Sequence, residues 1–161
     1  MSTETLHYGR VTWTNIVQPT DEDMQALSQR YPNFHPLHLH DCQSELEFPK
    51  LDATDGYIFL VAQLPRWDGD ERICYPSEID MFVAKGVMVT IHAGTIKPLN
   101  RLFASAQTDA AERKRLLGSG ASPLLYEVIK TLIDYCDPIL HKVNQQIRHI
   151  ELSLFKAETE H

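Results

Sequence analysis

The sequence predicts an α/β fold, a mixed parallel and antiparallel sheet flanked by helices (α/β/α) with a long C-terminal stalk helix. Three observations predict it. The apolar run from Tyr57 to Leu64 is followed by two alternating stretches, at Ile79, Met81 and Val83 and then from Val87 to His92, which together read as a strand meander with one half-buried face. An earlier strand-like stretch, Arg10 to Val17, is separated from the meander by two helical patterns. A crossover of that kind usually gives parallel pairing, whereas a meander is antiparallel. After Ser122, apolar residues recur at steps of three and four almost to the end of the chain.

Each element has a local reason. Arg10 to Val17 is rich in Val, Thr, Trp and Ile, the residues that suit a pleated surface. Thr20 is placed to cap a helix, with the acid Asp23 three residues on, and Met24, Leu27 and Tyr31 then share one face until Pro32 stops the helix. A short second helix begins at Pro36, since proline suits a first helical turn. Trp67-Asp68-Gly69-Asp70 offers an Asp-Gly hairpin turn, and Lys85-Gly86 a second turn. Lys97 to Leu117 reads as one or two helices ended by Gly118.

The last helix is the clearest. Ser122 reads as its N-cap and Pro123 as its first residue. Leu125, Ile129, Leu132, Cys136, Ile139, Val143, Ile147, Ile150 and Leu154 form a coiled-coil-like seam with one stutter. From Pro123 to Ala157 such a helix spans roughly 50 Å, longer than a domain of this size is wide. Pro138 should kink or loosen it. The expected organisation is therefore an α/β domain over residues 1–121 and the start of a stalk helix over 122–161, continuing in a longer parent protein.

Composition narrows the function. A chain of 161 residues with 43% hydrophobic and 23% charged residues can bury a core and is globular. The net charge is -7 and the basic residues are scattered, which argues against a nucleic-acid footprint. Three cysteines, without CxxC spacing, suit a reduced intracellular protein. Neither a signal-peptide core nor an apolar run of the ~18 residues a membrane span needs is present, so the chain reads as soluble.

His35-Pro36-Leu37-His38-Leu39-His40-Asp41 concentrates three His and one Asp in seven residues. Neighbours two apart on a helix diverge, so a three-His zinc site from this segment alone is disfavoured. His35, before Pro36, suits a turn or cap. His38 and Asp41, three apart, could share an ion or lie on a solvated face. Cys42 near His38 invites a nucleophile reading, yet no triad spacing supports it. Glu78 and Asp80 are expected to be solvated or paired with Lys or Arg.

In order and spacing the motifs resemble the cytosolic N-terminal domain of the CorA family of magnesium/cobalt transporters. They run Thr12-Trp13-x-Asn15, His35-Pro36-Leu37-x-Leu39-x-Asp41, Pro49-Lys50, the strand from Tyr57, Glu78-Ile79-Asp80, Thr90-Ile91-His92, Leu124-Leu125-Tyr126, Leu132-Ile133-Asp134 and Ile150-Glu151. Each motif alone is weak; their succession from Thr12 to Phe155 is fairly specific.

The resemblance implies a regulatory, ion-sensing domain rather than an enzyme. It implies a homopentameric parent, a cytosolic funnel at the cell (inner) membrane, and a membrane attached only through a C-terminal region that follows this stretch. It implies magnesium or cobalt as regulatory and transported ions, with nickel-carrying and zinc-carrying relatives. Asp41 matches an acid that helps bind a regulatory ion between subunits, and its partner acid lies beyond His161. The position before it is usually Glu and here is His40, a poor magnesium ligand but a good one for cobalt, nickel or zinc. Metal ligation is therefore expected at Asp41 and His40, weak for magnesium in this chain alone. Lys130 stands where a second family acid is expected, and Asp134 matches a frequent acid. The stretch alone is expected to self-associate weakly.

Two other readings remain open at this point. One is a soluble metal-dependent enzyme using the His35–Asp41 cluster, although His7, His92, His141, His149 and His161 form no ligand pattern with it. The other is an interaction module built on the long helix.

Overall fold

The computed structural model describes residues 3–44 and 47–159. Their order is β1 (Thr3–Tyr8), β2 (Val11–Val17), α1 (Asp21–Arg30), α2 (Pro36–Asp41), β3 (Lys50–Thr54), β4 (Tyr57–Asp68), β5 (Ile73–Ala84), β6 (Val87–His92), α3 (Lys97–Thr108), α4 (Ala110–Leu117) and α5 (Ala121–Thr159). The six strands form one mixed sheet in the order β1-β2-β6-β5-β4-β3. The meander is antiparallel, and the crossover from β2 does give parallel pairing. Its partner is β6, however, and β4, the first long strand after the crossover, is separated from β2 by β6 and β5.

Alternation along the strands explains the three layers. Ile79, Met81 and Val83 of β5 point to one face with Trp13 and Met88, and there meet Leu99 and Phe103 of α3, Leu116 and Leu117 of α4, and Leu124, Val128 and Leu132 of α5. Phe82 of β5, with Phe59, Val61, Val89 and Ile91, faces Met24 and Leu27 of α1 and Leu39 of α2. Trp13 is fully buried and meets Phe103 edge to face at 4.9 Å. Truncating such a side chain to Ala costs about 3–5 kcal/mol.

The paired motifs of β2 and β6 form a buried polar link across the parallel seam. Trp13 Nε1 donates to Thr90 Oγ1 at 3.1 Å, and Thr90 Oγ1 donates to Asn15 Oδ1 at 2.6 Å. His92 Nε2 lies 3.0 Å from the same Asn15 oxygen, while His92 Nδ1 accepts the Gly94 N–H at 3.0 Å. This assigns a neutral imidazole with its proton on Nε2, and burial lowers the His92 pKa to about 4. Trp13-x-Asn15 and Thr90-x-His92 thus satisfy one another's polar groups in the core.

Several local expectations need adjusting. The Thr20 capping box with Asp23 forms, and His35 caps α2 by accepting the Leu37 N–H. Gly69 does not sit in a two-residue turn: Asp68 pairs with Ile73 across four residues, and the Asp68 carboxylate accepts the N–H groups of Asp70 and Glu71. The two-residue Asp-Gly turn is at Asp55-Gly56, joining β3 to β4. β1 and β3 are edge strands with few buried side chains, so they carry little hydrophobic signal. Gly86 is required by its turn, for its φ is +73° and a Cβ there would lie 2.7 Å from the Arg10 carbonyl oxygen.

α5 starts at Ala121, one residue before the expected cap, with Gly120 supplying the carbonyl that accepts the Leu124 N–H. Pro123 still falls in the first turn, where no intrahelical N–H is needed. The helix has 39 residues, roughly 58 Å, and is continuous through Pro138. The buried face is Leu124, Val128, Leu132 and Ile139. The seam read from the sequence therefore does not bury on one side: Leu125, Ile129, Cys136 and Val143 are half-buried and Ile147, Ile150 and Leu154 are exposed. After Ile139 no described α5 side chain is buried.

Candidate functional site

The His-rich segment is one short helix whose residues are sent to different partners. Tyr57, buried at the start of β4, organises the first two histidines: its hydroxyl accepts the His35 backbone N–H at 2.8 Å and lies 2.9 Å from His38 Nδ1. The other His38 nitrogen lies 3.2 Å from Asp52 Oδ2, and the ring stacks on Phe59 at 4.4 Å. One consistent assignment has Tyr57 O–H donating to His38 Nδ1 and His38 Nε2–H donating to Asp52. Both histidines are thereby structural, and His38 does not share an ion with Asp41.

Asp41, at the end of α2, instead accepts from Lys50 Nζ at 2.6 Å. That hydrogen bond is the main reason the Lys50 pKa is raised. His40 is exposed on the helix beside it. Among the described residues no three His, Cys, Asp or Glu side chains come together as a metal site; His161 lies outside them. Asp41 and His40 supply at most two protein ligands. An ion there would have to compete with the Lys50 ammonium and would need water or a second chain for the rest.

Lys130 and Asp134 lie one turn apart on the exposed side of α5, and Lys130 Nζ is 3.6 Å from Asp134 Oδ2. Solvent screening makes such a pair weak.

Asp80 is buried and Glu78 half-buried, so the pair is not a solvated face. Their face of β5 is the one covered by α1 and α2, and both acids line a cleft beside the end of α2. Asp80 is only 3% exposed, and its Oδ1 has no hydrogen-bond partner among the described residues. Burial first, and then the charge of Glu78, push its pKa up to about 7, with Asp41 and Glu47 adding smaller repulsions. Glu78 accepts the Glu47 backbone N–H, and burial raises its pKa as well. Cys42 lies against this group. Its thiol donates to the His38 carbonyl at 3.1 Å, and burial and the surrounding acids push its pKa far up, so it is no nucleophile.

These residues line a cleft of about 710 Å³ between the end of the sheet and the start of α1, bounded by Thr20, Gln43, Ser77, Glu78, Asp80 and His92 among others. Sequence reading missed the buried state of Asp80 because polar residues at alternate strand positions usually mark a solvated face; the only hint was Cys42, an apolar-type residue directly after Asp41.

The fold is an α/β/α domain with a long helix leaving it, and Asp41, Glu78 and Asp80 gather near the end of α2. A match to the family described as "CorA-like Mg2+ transporter protein" covers residues 8–161, and the chain belongs to that family. It is 30% identical over 145 residues to YfjQ of Bacillus subtilis, named as a metal ion transporter, covering 88% of this chain and 41% of that one. It is 22% identical to the cobalt/magnesium transport protein CorA of Thermotoga maritima, covering 87% of this chain and 39% of that one. The chain thus spans about two fifths of the length of these relatives. In fold it resembles the soluble domain of CorA from Methanocaldococcus jannaschii, with a TM-score of 0.67 and 20% identity, over 91% of this chain and 56% of that structure. The family is one of transporters, not of enzymes. Among the described residues, no helix is long and apolar enough to cross a membrane.

Proposed function

We propose that residues 1–121 form the regulatory, ion-sensing domain of a CorA-type divalent-cation transporter and residues 122–161 the start of its stalk. The parent protein would carry Mg2+ or Co2+ through a membrane region that follows the stalk, with this domain on the cytoplasmic side. The sensed ion would bind at Asp41 and His40. The observation that carries this is the match to this family over residues 8–161, with the carboxylate of Asp41 at the end of α2. One carboxylate and one imidazole leave most of the coordination sphere to water and to another subunit, which makes the site a device for joining subunits.

A second feature supports assembly. Tyr126, Ile133, Leu140, Ile147 and Leu154 are spaced seven apart on α5 and are 48–64% exposed. Such a heptad stripe needs a partner helix, and a homopentamer in the full-length protein is the assembly proposed.

Isothermal titration of this chain with Co2+ and Mg2+, beside Asp41→Ala and His35→Ala, tests the site. Co2+ binding lost in Asp41→Ala and kept in His35→Ala is the expected result. Tight magnesium binding that survives Asp41→Ala would sink the assignment. For the parent, transport that keeps its dependence on intracellular magnesium after Asp41→Ala would remove the sensing role.

A further inference from the structure

A second cavity, of about 530 Å³, lies between the β4–β5 hairpin and α5, and a smaller one of about 250 Å³ adjoins it through Trp67 and Lys142. In a chain of net charge -7, no carboxylate lines either of them. Arg66, Lys97 and Lys142 line the larger and Arg72 the smaller. None of these four takes part in an ion pair among the described residues. The neighbouring acid Asp68 holds the Asp70 and Glu71 N–H groups at the hairpin tip, and the charge of Arg66 helps to lower its pKa. Arg66 and Lys142 lie instead against aromatic rings, Arg66 5.2 Å from the Tyr75 centroid and Lys142 5.8 Å from that of Trp67.

Arg66 has Asp68 nearby as a partial counter-charge, but cations gathered in a concave site repel one another, and an anion relieves this. Guanidinium and ammonium groups from three different elements, β4, α3 and α5, suit an extended polyphosphate, each meeting a different phosphate. The remaining wall is flat and apolar, made by Trp67 and Tyr135 with Pro138 and Ile139. A site of this volume, with few convergent charges and an aromatic wall, has the dimensions of a small-molecule pocket. We propose that this groove binds a nucleoside polyphosphate, with the phosphates on Arg66, Lys97 and Lys142 and the base against Trp67 or Tyr135. The groove adjoins the acidic cleft beside α2, since Arg66 and Thr95 line both, but its other cations, Lys97 and Lys142, line only the groove.

The test is titration of the purified chain with ATP in EDTA, followed by calorimetry and by tryptophan fluorescence. Trp13 is fully buried, so quenching reports on Trp67. Adenosine and tripolyphosphate separate the base from the phosphates. Saturable ATP binding is expected, with tripolyphosphate weaker and adenosine weaker still. Lys142→Gln and Arg66→Gln should each lower ATP affinity about tenfold, the scale of one lost charge-assisted contact. Lys114→Gln, on α4 outside the groove, should leave affinity unchanged. Trp67→Phe should abolish the quenching while calorimetric binding persists. Circular dichroism confirms that each variant is folded. Absence of saturable ATP binding overturns the proposal, as does equal weakening by Lys114→Gln. Tripolyphosphate binding as tightly as ATP overturns the nucleotide assignment.

Discussion

Lys50 holds its ammonium 2.6 Å from the carboxylate of Asp41, joining the first residue of β3 to the last residue of α2. The acid proposed to sense divalent cations is thereby occupied, within its own chain, by a cation that any metal must displace. Lys50→Ala should raise Co2+ affinity about threefold, the scale of a partly exposed ion pair. Titration of Lys50→Ala beside the wild type checks this. Affinity that falls in Lys50→Ala would mean that the lysine organises the site rather than competing for it.

Asp80 should make stability depend on pH. Its folded pKa, about 7, lies above the unfolded value of 3.8, so the folded state favours the protonated acid. The resulting stabilisation is fully present below pH 3.8 and is lost as pH rises through 7. Three units correspond to about 4 kcal/mol. Asp80→Asn mimics the neutral acid and removes this dependence. Urea denaturation should find the variant more stable than wild type at pH 8, with the gap closing toward pH 4. A gap independent of pH would show that Asp80 does not titrate in this range.

His92 acts with the opposite sign. Its folded pKa is lowered from 6.5 to about 4, so its contribution is present above 6.5 and is lost as pH falls toward 4. In Asp80→Asn, where the slope of Asp80 is gone and only that of half-buried Glu78 opposes, stability should decline between pH 6.5 and 4. A flat profile there would remove the buried neutral imidazole as the cause.

The three thiols should separate cleanly. Cys74 is exposed, Cys136 half-buried, and Cys42 is buried with its pKa far raised. A thiol reagent at pH 8 should modify Cys74 first and Cys42 only on unfolding, because the thiolate is the reactive form. Mass spectrometry of the timed reaction reads the order. Early modification of Cys42 in folded protein would contradict its packing against Asp80.

The exposed heptad stripe predicts concentration-dependent self-association. Leu140→Glu places a charge in the middle of it without touching the buried face at Ile139. Light scattering should show weaker association with an unchanged circular dichroism spectrum. Equal association in Leu140→Glu would place the contact elsewhere.

Much of this was legible in the sequence because it depends on local chemistry. Thr20 with Asp23 and His35 before Pro36 set their helix starts through contacts within three residues. The strands of the meander carry a period of two that no distant contact is needed to read. The motif order carried the family. β1 and β3 were not legible, because an edge strand buries little and so shows little hydrophobic pattern, although Asp55-Gly56 marked the turn after β3. What only the tertiary structure decided is which partner each polar group meets. Asp41 could have faced water or metal, and it meets Lys50 because β3 runs past the end of α2. Asp80 has the strand position of a solvated acid, and it is buried because α2 ends over its face. The apolar residues of α5 exceed what one sheet face can cover, so geometry alone divides them between the core at Leu124, Val128, Leu132 and Ile139 and the stripe left for another chain.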